Sequence, residues 1–265
     1  MFPAMLNTVV GEKGIWDKYA LEFNGSDEYL DCGTTFQNTM RNDDGFTISM
    51  WIRPHDGQPS SVQSIFGVKA DSNNRADIQI GTSGQSILDF EANGDDQELT
   101  SVSSGWSNGT LNGWTHYCMT SNSDSNASSQ VTRWHRNGSL VHSMTLNGVT
   151  QANRQNWTSV IPFFLGARND EGDADQFFDG EIAEFAVYDR YIISGDLWTF
   201  YEDGNMHNHL TGPYKDNLVC WWRMGDGDEN GTGTTIYDMS GNGNHATMVG
   251  MDSSNFNYME GRPNL

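Results

Sequence analysis

Ile161 to Asn205 reads IPFFLGARNDEGDADQFFDGEIAEFAVYDRYIISGDLWTFYEDGN, and this stretch decides the fold. Ile161 to Leu165 is a short apolar run stopped by Gly166, the pattern of a strand buried on both faces. An acidic loop follows from Asn169 to Gln176, carrying Asp170, Glu171, Asp173 and Asp175. Phe177-Phe178-Asp179-Gly180 then turns into a second strand, Glu181 to Tyr188, in which Ile182, Phe185 and Val187 are apolar. Their spacing breaks register near Ala183, which predicts a β-bulge. After Asp189-Arg190 the period changes. Ile192, Asp196, Leu197, Phe200 and Tyr201 fit a helix of one or two turns, with Ser194 as its cap and Gly204 as its stop.

Outward from this stretch, strands dominate. Tyr19 to Phe23 alternates and ends at Asn24-Gly25, a hairpin signal, with Tyr29 to Gly33 as the expected partner strand. Phe46, Ile48, Met50 and Ile52 fall on one face of a strand. Thr47, Ser49, Trp51 and Arg53 fall on the other, and Pro54 ends it. Ser64 to Val68, Ala76 to Gly81 and Ile87 to Glu91 read as a meander, followed by an acidic turn from Asn93 to Glu98. Gly113 to Thr120 is a further strand, and Val131 to Val141 a hairpin about Asn137-Gly138. Leu218 to Met224 is a strand, then a glycine-rich acidic stretch leads to Ile236 to Met248.

Composition agrees. The chain has 29 glycines and 12% aromatic residues, which favours strands and turns. Lys and Arg number 14 against 35 Asp and Glu, a net charge of −21. That field repels nucleic acid and anionic membranes, so both are poor partners, and neither nucleic-acid binding nor membrane insertion is expected. It suits divalent cations or a salty medium. Cys32, Cys118 and Cys220 are odd in number and widely spaced, so neither a zinc site nor a disulfide framework is expected. Cys118 and Cys220 lie in apolar runs and read as buried thiols. Neither a secretory leader nor a run of membrane-spanning length is read from the sequence.

Several of these segments recur together in one family. Phe164-Leu165-Gly166, Phe178 to Glu184, Tyr188-Asp189-Arg190 and Tyr201 resemble, in order, a signature of laminin G-like, concanavalin A-type domains. Ala20 to Gly33 is similar to the entry of that family, though Asn24 stands where the family usually has Asp. Phe46 to Pro54, Gly113 to Thr120, the Asn137-Gly138 hairpin and Tyr237 to Thr247 match further pieces. The resemblance implies an all-β fold: a two-sheet antiparallel β-sandwich, a concanavalin A-like jelly roll, with one short surface helix. It implies a closing strand beside the opening one. Expected boundaries are an arm over 1–18, the sandwich over 19–250 and a C-terminal tail over 251–265.

Three kinds of chemistry are candidates. Calcium needs several hard oxygens, which acidic and amide-rich turns supply. The resemblance implies such an ion between turns, with Asn24, Asp27, Asp179 and Asp238 as ligands. Glycan binding needs aromatic faces with carboxylate and amide partners. Trp106 and Trp157 in loops, with Asp170, Glu171, Asp173 and Asp175, are the candidates, whereas Trp51, Trp114, Trp221 and Trp222 in strands read as core. Glycoside hydrolysis needs paired carboxylates. Glu171-Gly172-Asp173-Ala174-Asp175-Gln176 supplies two of the three acidic positions that related enzymes carry, then places glutamine in the acid/base slot. His116 reads as a structural, hydrogen-bonded histidine, with no triad around it.

The expectation is therefore a non-enzymatic laminin G-like module that takes a glycan or host-surface ligand. Its acidity and its Asn, Ser and Gly content suggest a phage virion protein, docked on capsid or tail as a decoration or attachment protein. The alternative is a bacterial secreted or cell-surface carbohydrate-binding protein.

Overall fold

The computed structural model describes residues 19–41, 44–92, 95–103, 112–122, 129–147, 160–201, 204, 206–225 and 233–259. The expected arm at 1–18 lies outside them. Two sheets stack face to face, as the family resemblance implied. In the first, the strand order is β10 (Ser139–Asn147), β9 (Ser129–Arg136), β8 (Thr115–Ser121), β3 (Phe46–Pro54), β14 (Asp179–Tyr188), β1 (Tyr19–Asn24) and β18 (Phe256–Tyr258), with β15 (Leu218–Trp222) also on β14. In the second it is β16 (Thr235–Ile236), β17 (Ala246–Val249), β2 (Tyr29–Asp31), β11 (Phe164–Leu165), β4 (Gln63–Asp71), β5 (Asn74–Ile80), β6 (Gln85–Ala92) and β7 (Asp95–Ser103). A small hairpin of β12 (Arg168–Asp170) and β13 (Asp173–Asp175) joins the second sheet through a parallel pairing of β12 with β4.

Alternation explains the core. Phe46, Ile48, Met50 and Ile52 are all inaccessible and face Phe66, Ile78, Ile80, Leu88 and Phe90 of the other sheet. Trp51 lies on the opposite face of β3, as expected, yet it too is buried, in a small cluster with Ala20, Trp114 and Ala183. The cover over that outer face includes α2 (Ser194–Tyr201), which places Tyr201 6.0 Å from the Trp51 ring. A helix not expected from the sequence, α1 (Thr35–Arg41), drops Phe36 edge-on against Phe66, Phe163 and Trp222. Its sequence, TFQNTMR, is short and has no apolar period long enough to announce a helix.

The bulge in β14 is present. Its pairing with β3 shifts between Ala183 and Ala186, and Glu184 takes a left-handed φ of +51°. The Asn137-Gly138 hairpin is also present, with both residues at positive φ.

Four local expectations are corrected. The Asn24-Gly25 turn does not make a hairpin: β1 pairs β14 and β18, whereas β2 pairs β11 and β17 of the other sheet. Asn24 Oδ1 accepts the amides of Ser26 and Asp27, and this side-chain turn carries the chain across the sandwich. Leu21 and Phe23 on one side and Leu30 on the other can then face one core. Second, the acidic loop at 169–176 is largely the β12–β13 hairpin. Third, Asp95 to Glu98 begins strand β7 rather than a turn. Fourth, β17 closes beside β2, while β18, in the stretch expected as a tail, takes the place beside β1.

Gly166 tests the sandwich. Its φ is +84°, and a Cβ there would lie 2.3 Å from Cδ1 of the buried Phe23 ring. Gly166→Ala combines a disfavoured backbone with overpacking and is expected to cost about 2–4 kcal/mol, read from urea unfolding. A change within experimental error would contradict this packing.

Candidate functional site

On the first sheet a ladder of polar side chains crosses four strands. In register, Glu22 of β1 lies opposite Glu181 of β14, and Glu181 lies opposite Arg53 of β3. Side chains on one face of neighbouring strands touch, so two carboxylates directly opposite would repel. The arrangement resolves this with bridging donors. Arg53 Nε donates to Glu181, and Asn257 of β18 donates its amide hydrogens to Glu22 and, at 3.4 Å, to Glu181. The Arg53 guanidinium lies 5.2 Å from the Trp114 ring centroid, which holds it against the sheet.

A groove of about 280 Å³ opens here, lined by Arg53, Glu181, Asn257 and Tyr258. Tyr258 is 53% exposed and meets Tyr19 edge-on at 6.4 Å. His55 closes the end of the row, with Nδ1 2.8 Å from Asp179 Oδ1 and Nε2 3.8 Å from Glu22 Oε1. Rigid strands therefore present an exposed aromatic ring beside alternating acceptors and donors.

The residues expected to hold calcium divide. Asn24 and Asp179 are register partners, and Asn24 Nδ2 donates to Asp27 Oδ1 at 2.8 Å, so these three meet at the end of the ladder. Asp238 does not join them. It accepts from the amides of Trp221, Ser240 and Asn244, and so staples its own turn to β15. Trp221 pairs with Ala186, seven residues along β14 from Asp179, which puts Asp238 roughly 20 Å away at about 3.3 Å per residue. At the Asn24 turn the oxygens already face nitrogen: Asn24 Oδ1 takes two backbone amides, and Asp179 takes His55. Among the described residues no group of three or more His, Cys, Asp or Glu could hold a metal ion. As placed, this set does not fit calcium, which requires six to eight converging oxygens.

The acidic residues expected to bind a ligand sit on the other sheet. Arg168 takes Asp175 at 2.6 and 2.9 Å and Asp170 at 3.1 Å, while Lys69 takes Asp170 at 2.7 Å. Glu171 lies 3.8 Å from Lys69, and Asp173 is exposed on the turn side of the hairpin. Much of this charge is neutralised within the hairpin and its neighbour strand. Trp106 and Trp157 lie outside the described residues. Gln176 accepts from Gln79 at 3.3 Å.

Asp77 and His116 are among the buried groups with the shifted acidity that catalytic residues often show. Asp77 is pushed up to about 7, chiefly by burial. It lies opposite Asp89 in register but is wholly inaccessible beneath its partners Ser64 and Gln79, so no substrate reaches it. His116, 1% exposed, shares a 2.9 Å hydrogen bond with Ser49, and burial lowers its pKa to about 3. It is the structural histidine the sequence suggested.

This architecture defines a lectin-like jelly roll. The chain belongs to the concanavalin A-like lectin/glucanases superfamily, whose laminin G family model matches residues 24–196. No curated protein matches it. Among solved structures, it is similar to a candidate carbohydrate binding protein from Bacteroides ovatus ATCC 8483, with 15% identity and a TM-score of 0.61, over 92% of this chain and 61% of that one. The NanB sialidase from Streptococcus pneumoniae matches with 19% identity and a TM-score of 0.53, over 70% of this chain and 28% of the sialidase. The CBM40 of a Ruminococcus gnavus IT-sialidase, bound to α2,6 sialyllactose, matches with 13% identity and a TM-score of 0.50, over 69% of this chain and 97% of the module. These likenesses concern the fold. The chain spans under two thirds of the first of these proteins and under a third of the sialidase.

Of the groove, the sequence flagged only its neighbours Asn24, Asp27 and Asp179. Glu22, Arg53 and Glu181 could have been found by placing alternate residues of their strands on the outer face. Asn257 and Tyr258 could not, because no period marks a three-residue strand.

The buried histidines make a pH prediction. A neutral His116, lowered to about 3 from an ordinary 6.5, contributes stability that is fully present above 6.5 and is lost as pH falls towards 3. His116→Gln removes that titration. The difference between wild type and variant in urea unfolding is expected to narrow by about 1.4 kcal/mol per pH unit below 6.5. Parallel pH profiles would refute the assignment.

Proposed function

We propose that the chain is a non-catalytic glycan-binding module whose binding surface is the Glu22–Glu181–Arg53–Asn257 ladder with Tyr258. The observation that carries this reading is the exposed Tyr258 ring beside a row of hydrogen-bonding groups on rigid strands. A sugar offers apolar C–H faces to such a ring and hydroxyls to carboxylates and amides. Strand-borne groups hold their geometry better than groups on loops.

The groove also selects. Arg53 is paired with Glu181, and Glu22 adds a second carboxylate. An acidic sugar would meet two carboxylates and one guanidinium already engaged, so uncharged sugars suit it better. The sialyllactose bound by the Ruminococcus module is a property of that protein. Calcium is not part of this proposal, since at the Asn24 turn it would have to displace His55 from Asp179.

The setting that we propose is a virion surface, as a decoration or attachment protein, supported by a net charge of −21. A bacterial surface or secreted carbohydrate-binding protein would use the same groove. Peptides of this chain in purified virions would support the first setting, and their absence there the second.

A glycan array tests the binding. Uncharged glycans are expected to bind, sialylated ones not, and EDTA to leave both results and the melting temperature unchanged. Tyr258→Ala is expected to weaken binding about three- to tenfold. Binding confined to sialylated glycans, or Tyr258→Ala binding like wild type, would discard this surface. A melting temperature lowered by EDTA would instead establish the ion.

A further inference from the structure

A second, independent cavity lies between α2 and the turn at 206–214. It encloses about 270 Å³ and is lined by Tyr188, Asp196, Phe200, His207, Thr211 and Tyr214 among others. Its floor is aromatic. Tyr188 and Phe200 are buried and stacked at 5.3 Å with 16° between planes, and the His207 ring lies 5.0 Å from Phe200.

Three of the hydroxyls around it are already committed as donors. Tyr214 donates its hydroxyl hydrogen to the Asp196 carboxylate. Thr199 donates to the Asp196 carbonyl at 2.6 Å, and Thr211 to the Asn208 carbonyl at 2.8 Å. The Tyr188 hydroxyl shares a 2.6 Å hydrogen bond with His209 Nδ1, an imidazole that burial keeps uncharged. With the hydroxyl hydrogens of Tyr214, Thr199 and Thr211 spent, their oxygens retain lone pairs beside the Asp196 carboxylate. Such a cavity offers acceptors and π faces, both of which attract a cation that also donates hydrogen bonds. The field of a chain with net charge −21 raises the local concentration of any cation.

We propose that this cavity binds a small organic ammonium ion, its nitrogen at Asp196 and its alkyl group against Phe200 and Tyr188. The apolar walls separate this ligand from an inorganic cation, and the carboxylate separates it from a neutral alcohol of equal shape.

The full chain would be titrated with n-butylammonium, n-butanol and butyrate, following the ring resonances of His207 and Phe200 by NMR. n-Butylammonium is expected to give saturable shifts, n-butanol to bind at least about tenfold more weakly, and butyrate not to bind. Asp196→Asn keeps an acceptor for Tyr214 and is expected to weaken n-butylammonium about tenfold. Thr211→Arg fills the exposed rim with a competing cation and is expected to abolish binding. Asp173→Asn, on the other sheet, is expected to bind as wild type. No saturable shift, equal binding of the amine and the alcohol, or an unchanged Asp196→Asn would each overturn the proposal. Glycan binding at the Tyr258 groove is read separately, so failure of one site leaves the other standing.

Discussion

A carboxylate buried in the middle of a sheet has to be compensated where it stands, and Glu184 imposes that requirement here. It is 2% exposed, at the bulge of β14, in a left-handed conformation. The Trp221 indole donates to it, and the Arg223 guanidinium, 3% exposed, lies 3.5 Å away and over the Trp221 ring. An unpaired charge at this depth would cost several kcal/mol. Both partners come from β15 or the residue just after it, so the charge ties β15 to β14 at one register. The bulge is also a handover point. Up to Ile182, β14 pairs with β1; from Phe185 onward, it pairs with β15. The polar groove lies on the β1 half, and the aromatic cavity under α2 on the β15 half.

Elsewhere the acidic chain disperses its charge by the same rule, one cation at a time. Arg53 serves the ladder, Arg168 and Lys69 the β12–β13 hairpin, and Arg75 bridges Asp89 and Glu91 on β6. Most of these pairs are only partly buried, so each contributes little alone. Their effect is positional.

What the sequence made legible follows from the range of each signal. Period-two alternation over 46–54, the bulge near Ala183 and the Asn137-Gly138 hairpin are local patterns, and each is present in the structure. Sheet membership is not local. Asn24-Gly25 has the composition of a hairpin turn, but β1 and β2 belong to opposite sheets, from which Leu21, Phe23 and Leu30 meet in one core. The acidic run at 169–176 looked open in sequence because one of its cations, Lys69, stands 101 positions from Asp170, and the other, Arg168, meets Asp175 only once β12 and β13 fold into a hairpin. The groove escaped notice for the same reason: Asn257 reaches Glu22 across 235 positions.

The pairing of β1 with β18 gives the groove a mechanical character. Tyr19 opens β1 and Tyr258 closes β18, and the two are antiparallel partners, so the chain enters and leaves the sheet at one corner. Tension between these points loads their hydrogen bonds one after another, as in opening a zip, rather than all together in shear. Peeling β18 away would carry off Asn257 and Tyr258 while the paired interior of the first sheet stayed intact. A ligand held there would be released by a pull well below the force that unravels the sandwich.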